Sequence, residues 1–400
     1  MRIGRLVILS VTLASCVSES RGADCTVRSP RFAPYEIRGL EPRPVFWKVR
    51  PDEIVDFCKR VTKCSKKEVI CHTSLGYPVY ALYYGTFTED PPQTNWSAGQ
   101  GSTTYRNYTG RPTGSPQTFL LLAGVHGSEP ENVAATMNLL QMLETGRDFR
   151  GKGDPRLLEL ISKYRLIVVP CLNMDGRAIS PDHLRGVDWD TFRRVSQGVW
   201  KDGTRIGWRG SKAFFPLPLD RISFPGGYPN ADGYNIMHDA APGDLRTDEA
   251  RSLLKLVARW RVDFILNCHS HEWEHQVLRP SGLDGPDRVR RGMELRYRAN
   301  TALYEMGLVK TKPVPVGQDE HPGSRINLNN LMSLASGALA LTLESSVSYD
   351  QPDRPPETKP HRRYSFEELM EPLSVVLKEL LTEGLESPFV VRGEEVVYPD

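Results

Sequence analysis

His126 and Glu129 stand three residues apart, separated only by Gly127 and Ser128, directly after the apolar run Phe119–Val125. An imidazole and a carboxylate at that spacing can converge on one ion, because the residues between them are small. A hydrolytic zinc site takes three protein ligands, typically two histidines and one carboxylate, and leaves a fourth position for water. His269, at the end of the apolar run that begins at Phe264, supplies a second imidazole. His271 competes for that place, since residues two apart on an extended backbone point to the same face. His269 is preferred because it follows the run directly, which leaves His271 beside the ligands or in contact with substrate. Glu344 ends a further run, Ala338–Leu343. An acid placed there needs a partner, because unpaired burial is costly. That partner is either a metal-bound water, which Glu344 would deprotonate, or a buried cation.

Positioning these groups requires strands. Phe119–Val125, Leu166–Leu172, Phe264–Leu266 and Ala338–Leu343 are short apolar runs that lead into His126, Asn173, Asn267-Cys268-His269 and Glu344. Such runs with helices between them read as buried parallel strands. Helices are expected at Pro130–Glu144, which opens with a proline, and at Asp248–Trp260, where Leu253, Leu256, Val257 and Trp260 share a face. Pro51–Arg60 reads as a short helix, and Val69–Tyr84 as strands around a turn at Gly76-Tyr77-Pro78. Residues 85–116 read as a long surface loop. In open α/β sheets ligands bind beyond the carboxyl ends of the strands, so all four polar endings would lie along one edge.

The N-terminus has a different character. A basic start, Met1–Arg5, precedes an apolar run, Leu6–Ser15, that is too short to span a bilayer. Residues 1–23 therefore read as a secretory signal. Leu13-Ala14-Ser15-Cys16 resembles a bacterial lipobox, which would place a lipid on Cys16. Plain cleavage near Ala23 fits less well, because Arg21 sits three residues before that cut. Export or anchoring at the cell envelope is the expectation. Without Cys16, six of the seven cysteines remain, and Cys58, Cys64 and Cys71, with Cys25, are candidates for one or two disulfides. Asn95 and Asn107 lie in glycosylation acceptor patterns, which matter only in a eukaryotic host. With 51 basic and 49 acidic residues the chain gives no electrostatic reason to expect nucleic acid as a partner.

Taken in order, His126-Gly-Ser-Glu129, Asn173-Met-Asp-Gly176, His269-Ser270 and Thr342-Leu-Glu344 resemble the zinc carboxypeptidase family, the carboxypeptidase A-like clan. Leu75–Leu82 is similar to that family's early strand pair. The likeness spans about residues 48–385, which would be the catalytic domain, after an irregular lead-in at 24–47 and before a tail at 386–400. It implies an α/β fold with a mixed, largely parallel central sheet flanked by helices on both faces. It also implies one zinc per chain on His126, Glu129 and His269, with Glu344 as the catalytic glutamate.

The family pattern is not kept throughout. Its members grip the substrate's terminal carboxylate with an Asn-Arg pair in an Asp-x-Asn-Arg stretch. Here Asn235 falls at the aspartate place, and Met237-His238 at the Asn-Arg place. A histidine does not replace an arginine's bidentate grip, so His238 either binds an anion when protonated or pairs with Asp239. The family's mobile tyrosine is missing from the stretch before Glu344, where Arg325 stands either as a carboxylate contact or as an exposed loop residue. Arg177 and Arg185 are both candidates for the oxyanion arginine. The reading is an exported zinc peptidase acting on peptides, with an acyl-amino-acid or cell-wall amidohydrolase as the alternative. An exported binding protein on the same fold is the reading of another class, and an intact Glu344 argues against it. No propeptide domain is evident, so activity without proteolytic activation is expected.

Overall fold

The computed structural model describes residues 26–88, 115–271, 274–280, 286–317, 326–349 and 363–390. The signal segment, Cys16, Cys25, Asn95, Asn107 and Arg325 lie outside the described residues.

Among the described residues a seven-stranded sheet organises the chain, with the spatial order β1-β2-β4-β3-β7-β9-β8. Its strands are β1 (Lys66–His72), β2 (Pro78–Tyr84), β3 (Thr118–Ala123), β4 (Arg165–Val169), β7 (Phe264–His271), β8 (Gln276–Val277) and β9 (Leu339–Ser346). The four central strands, β4, β3, β7 and β9, run parallel, as the apolar runs predicted. The hairpin β1–β2 and the short β8 add antiparallel edges. A separate two-stranded ribbon pairs β5 (Val199–Trp200) with β6 (Ile222–Phe224).

Helices cover both faces. On one face α1 (Pro51–Arg60), α2 (Glu131–Thr145), α8 (Pro286–Glu305) and α10 (Phe366–Glu386) contribute to a large core around Phe119, Leu121, Leu266 and Leu341. On the other, α7 (Asp248–Trp260) and α9 (Leu328–Ser336) pack on Leu120, Leu122, Ile265 and Ala340. This alternation along each strand is the two-residue period of a sheet buried on both sides. The remaining helices are α3 (Pro155–Ile161), α4 (Met174–Ile179), α5 (Trp189–Gln197) and α6 (Gly207–Ala213). Helix α7 has the bounds the sequence predicts. Its start is fixed by the Thr247 side chain, which accepts from Ala250 N, and its buried face includes Leu253, Leu256, Val257 and Trp260.

Three findings depart from the sequence reading. First, β7 and β9 do not stop at their apolar runs. They stay paired through His269↔Glu344 as far as His271↔Ser346, so both functional residues lie within strands rather than after them. Mutual hydrogen bonding extends each strand past the point where hydrophobicity ends. Second, Cys58, Cys64, Cys71, Cys171 and Cys268 are all free thiols, so no disulfide forms among the described residues. Cys58 and Cys171 are spent as apolar filling of the core, and burial pushes the Cys58 thiol up to about 12. Third, the core takes in Trp47 and Phe389, which flank the 48–385 span at either end. Among the described residues no helix is long and apolar enough to cross a membrane.

Candidate metal centre

The turn after β3 is built by close packing. Gly124 has a positive φ of 63°, and a Cβ on it would meet Cys171 Sγ at 2.6 Å. The chain can therefore swing from the strand into His126. A Cβ at Gly127 would lie 2.0 Å from Gly176 C and 2.1 Å from Arg177 N, so only glycine lets this turn seat against α4. Gly127 N donates to Gly227 O at 2.7 Å, and Glu129 N donates to His126 O at 3.2 Å. Pro130 then occupies the N-cap of α2, which carries Glu129 at its entrance.

This turn and β7 bring three groups together. Glu129 Oε1 lies 2.9 Å from His126 Nδ1, and Glu129 Oε2 lies 2.9 Å from His269 Nδ1. The two Nδ1 atoms are 3.2 Å apart. All three side chains are buried, at 7%, 5% and 3% exposure for His126, Glu129 and His269. Burial opposes ionisation of Glu129, but His126 and His269 outweigh it and hold the carboxyl below its ordinary value. Burial likewise works against a charged His269, and the Glu129 carboxylate overcomes it, so the imidazole stays above its ordinary value.

The residues fit a zinc ion. His126 Nε2 lies 3.2 Å from Asn235 Oδ1, and that oxygen also accepts Met237 N–H at 3.1 Å. An acceptor at that position places the proton on Nε2, which turns the Nδ1 lone pair toward Glu129 and His269. Two ring nitrogens and a carboxylate converge in one buried space, an arrangement that could hold a shared cation. A set of two imidazoles and one carboxylate is the ligand set of hydrolytic zinc sites. Their ligand atoms all lie within 4.8 Å of one another, close enough to share one ion.

Glu344 stands beside His269 in the adjacent strand, and the paired register puts both side chains on the α7/α9 face. It is half-buried, and its charge acts on both His269 and Cys268.

Other residues singled out by the sequence are placed less centrally. His271 Nε2 bonds to Glu274 O at 2.9 Å, outside the three-residue cluster. Met237 is buried and His238 half-buried in the single 3-10 turn Ile236–His238. Asp239 accepts from Arg246 N, Thr247 N and Thr247 Oγ1. Arg177 is 2% exposed and donates to the carbonyls of Gly127, Ser180 and Pro181. Arg185 donates to Tyr364 O and pairs with Glu41. Both candidate oxyanion arginines are therefore committed to protein partners.

Several supporting residues escaped sequence reasoning. Tyr228 stacks on the His126 ring, with centroids 4.2 Å apart. Its one sequence signal is the Gly226-Gly227 pair before it, which marks a close backbone approach. Asn132 Nδ2 donates to His269 O at 2.6 Å and to Ser345 Oγ at 3.0 Å, and Ser270 N donates to Glu129 Oε2 at 3.2 Å. Glu131 is fully buried in the first turn of α2, and that burial pushes its carboxyl up to about 8. The Asn-x-Asp-Gly motif acts as a clamp. Asn173 accepts Gly176 N–H at 2.9 Å and donates to the carbonyls of Tyr228 and Pro229, both at 3.1 Å. Asp175 accepts from Leu75 N and Ala231 N.

Comparison with known proteins bears on the family and the fold. A family model described as zinc carboxypeptidase matches residues 65–307. Among solved structures, the metallo-carboxypeptidase from Burkholderia cenocepacia is 15% identical with a TM-score of 0.51, over 84% of this chain and 69% of that one. The metallo-carboxypeptidase from Pseudomonas aeruginosa, in complex with (2-guanidinoethylmercapto)succinic acid, is 16% identical with a TM-score of 0.50, over 84% and 68%. At such identity these likenesses speak to the fold. No curated protein sequence matches the chain. With a family match across more than half of its 400 residues, the chain belongs to the zinc carboxypeptidase family and is a zinc-dependent peptidase.

Proposed function

We propose that the protein is an exported peptidase that hydrolyses peptide bonds in the manner of a carboxypeptidase, with His126, Glu129 and His269 holding one zinc. The carrying observation is the pair of Nδ1 atoms 3.2 Å apart sharing one carboxylate, with Glu344 next to His269 in the neighbouring strand. Held by these residues, zinc would supply Lewis acidity to the scissile carbonyl and to the attacking water. Glu344 then takes the proton of the attacking water on its carboxylate and returns it to the leaving amine. Tyr228 and Asn235 hold the His126 ring by its face and its Nε2 edge, which keeps the Nδ1 lone pair directed inward. His238, half-buried in the 3-10 turn where relatives carry an arginine, contributes to anion recognition only when protonated. Peptide trimming with relaxed demand for a terminal carboxylate follows. The same observation favours acyl-amino-acid or cell-wall amide substrates as a second reading. Arg325 and His271 are assigned to substrate contact, on sequence position alone. The basic start and short apolar run before Cys16 support export with a lipid anchor.

The test is zinc content and hydrolysis of a mixed peptide library by the wild type and Glu344→Gln. One zinc in each protein, with turnover reduced at least about 100-fold in the variant, is expected. A variant as active as the wild type would remove Glu344 from the mechanism, and wild-type protein that retains no zinc would remove the ligand set.

A further inference from the structure

We infer that Arg177 is a positioning residue for the metal: its buried guanidinium fixes the His126–Glu129 turn and so sets how tightly the site holds zinc. The inference rests on the ligand set proposed above.

An arginine stripped of water is held by its hydrogen bonds or not at all. Here burial works against the charge and Arg177 stays below its ordinary value, with the Asp182 carboxylate as a nearby counter-charge. Its donors go to backbone carbonyls. Nη1 donates to Gly127 O at 2.6 Å, and Nη2 donates to Ser180 O at 2.7 Å and to Pro181 O. Gly127 lies between the two ligands of the turn, and its own N–H is held by Gly227 O at 2.7 Å. The residue linking His126 to Glu129 is thus gripped on both sides, through its amide by Gly227 and through its carbonyl by Arg177. Because the Glu129 carboxylate bridges both imidazoles at 2.9 Å, a tilt at Gly127 would displace two of the three ligands together.

The other end of the fork is anchored from the N-terminal lead-in. Trp47 Nε1 donates to Asp182 O at 2.8 Å, and Arg43 and Arg50 pair with the Asp182 carboxylate at 2.8 and 2.7 Å. His183 Nε2 lies 2.9 Å from Glu41 O. Lead-in, loop 180–183, guanidinium and ligand turn form one chain of contacts. A planar fork can bond two backbone segments at once, which a lysine's single ammonium does less well.

The test measures zinc dissociation constants by chelator competition on the full chain, at a temperature where circular dichroism shows every protein folded. Partners that orient metal ligands typically govern about 10- to 100-fold in metal affinity. Arg177→Met is expected to weaken zinc by that factor and Arg177→Lys by less, and millimolar guanidinium ion should restore affinity to Arg177→Ala. If Arg177→Met does not fold, Arg177→Lys and the rescue carry the same reading. A lower unfolding temperature with an unchanged zinc constant would mean a purely structural arginine and would overturn the inference. So would a fall in kcat at unchanged zinc affinity, which would return Arg177 to the oxyanion. These outcomes require a wild type that binds zinc; a wild type that does not overturns the ligand assignment and this inference with it.

Discussion

Glu249 illustrates how one residue couples the fold to pH. It lies 1% exposed in the first turn of α7. Burial, chiefly, and then the Asp175 charge push its carboxyl up to about 7, against its own backbone N–H and the Asn230 side chain. A raised acid is favoured protonated in the fold. Its contribution is complete below about pH 4.5, its unfolded value, and is lost as pH rises through about 7. The loss integrates to roughly 3 kcal/mol. Glu249→Gln should match the wild type near pH 4.5 and exceed it at pH 8, read as denaturant midpoints at both pH values. An offset that does not change with pH would refute this account. At the same scale, the sequence displays the proposed site residues but not their supports. His126, Glu129, His269 and Glu344 are visible because apolar runs lead into three of them and a fixed spacing marks the fourth. The contacts that Tyr228, Asn132 and Ser270 make with the site are not visible in the sequence, since each acts across a long sequence separation.

At the scale of elements, the junction between strand and helix after β3 positions two of the proposed ligands. The turn after β3 is seated on α4 with no room for a methyl group at Gly127. Gly127→Ala must therefore displace backbone rather than a flexible side chain, at about 3 kcal/mol or more. The expected result is a protein with a lowered unfolding temperature and little zinc. Wild-type zinc content in that variant would show that the seam can open. The pairing of β7 with β9, strand against strand, is the second feature at this scale. Apolar runs located both strands, but not their extension through His269↔Glu344. That extension is a property of the pair, because each strand supplies the hydrogen-bond partners that the other needs once hydrophobic burial stops.

Over the whole molecule, the N-terminal lead-in belongs to the core despite having no regular structure. Trp47 is fully buried, packs edge-on against Phe366 with centroids 4.9 Å apart, and reaches Asp182 O through its indole. Trp47→Ala should cost about 3–5 kcal/mol, measured by denaturant unfolding, and should loosen zinc through loop 180–183. A loss of stability below 1 kcal/mol, about that of a surface change, would show that the lead-in is merely draped over the domain. At the other end of the chain, Phe389 packs on Phe264 and Phe119, so both ends of the described chain close the same core.

The sequence by itself determined the four parallel strands, the bounds of α1 and α7, and the identity of the groups that converge. These follow from local rules: apolar periodicity, helix-start residues, and two ligands three positions apart. Tertiary structure alone decided which arginines remain available. Arg177 and Arg185 stand in the sequence as equal candidates for substrate. Only the packed chain shows one spent on the carbonyls of the ligand turn and the other on Glu41 and Tyr364. A guanidinium takes whatever acceptors the fold brings within reach, and those acceptors lie far away in sequence. Cys58, Cys64 and Cys71 teach the same lesson: proximity along the chain suggests bridges, yet all three are free thiols, Cys58 and Cys64 at one core and Cys71 at the other.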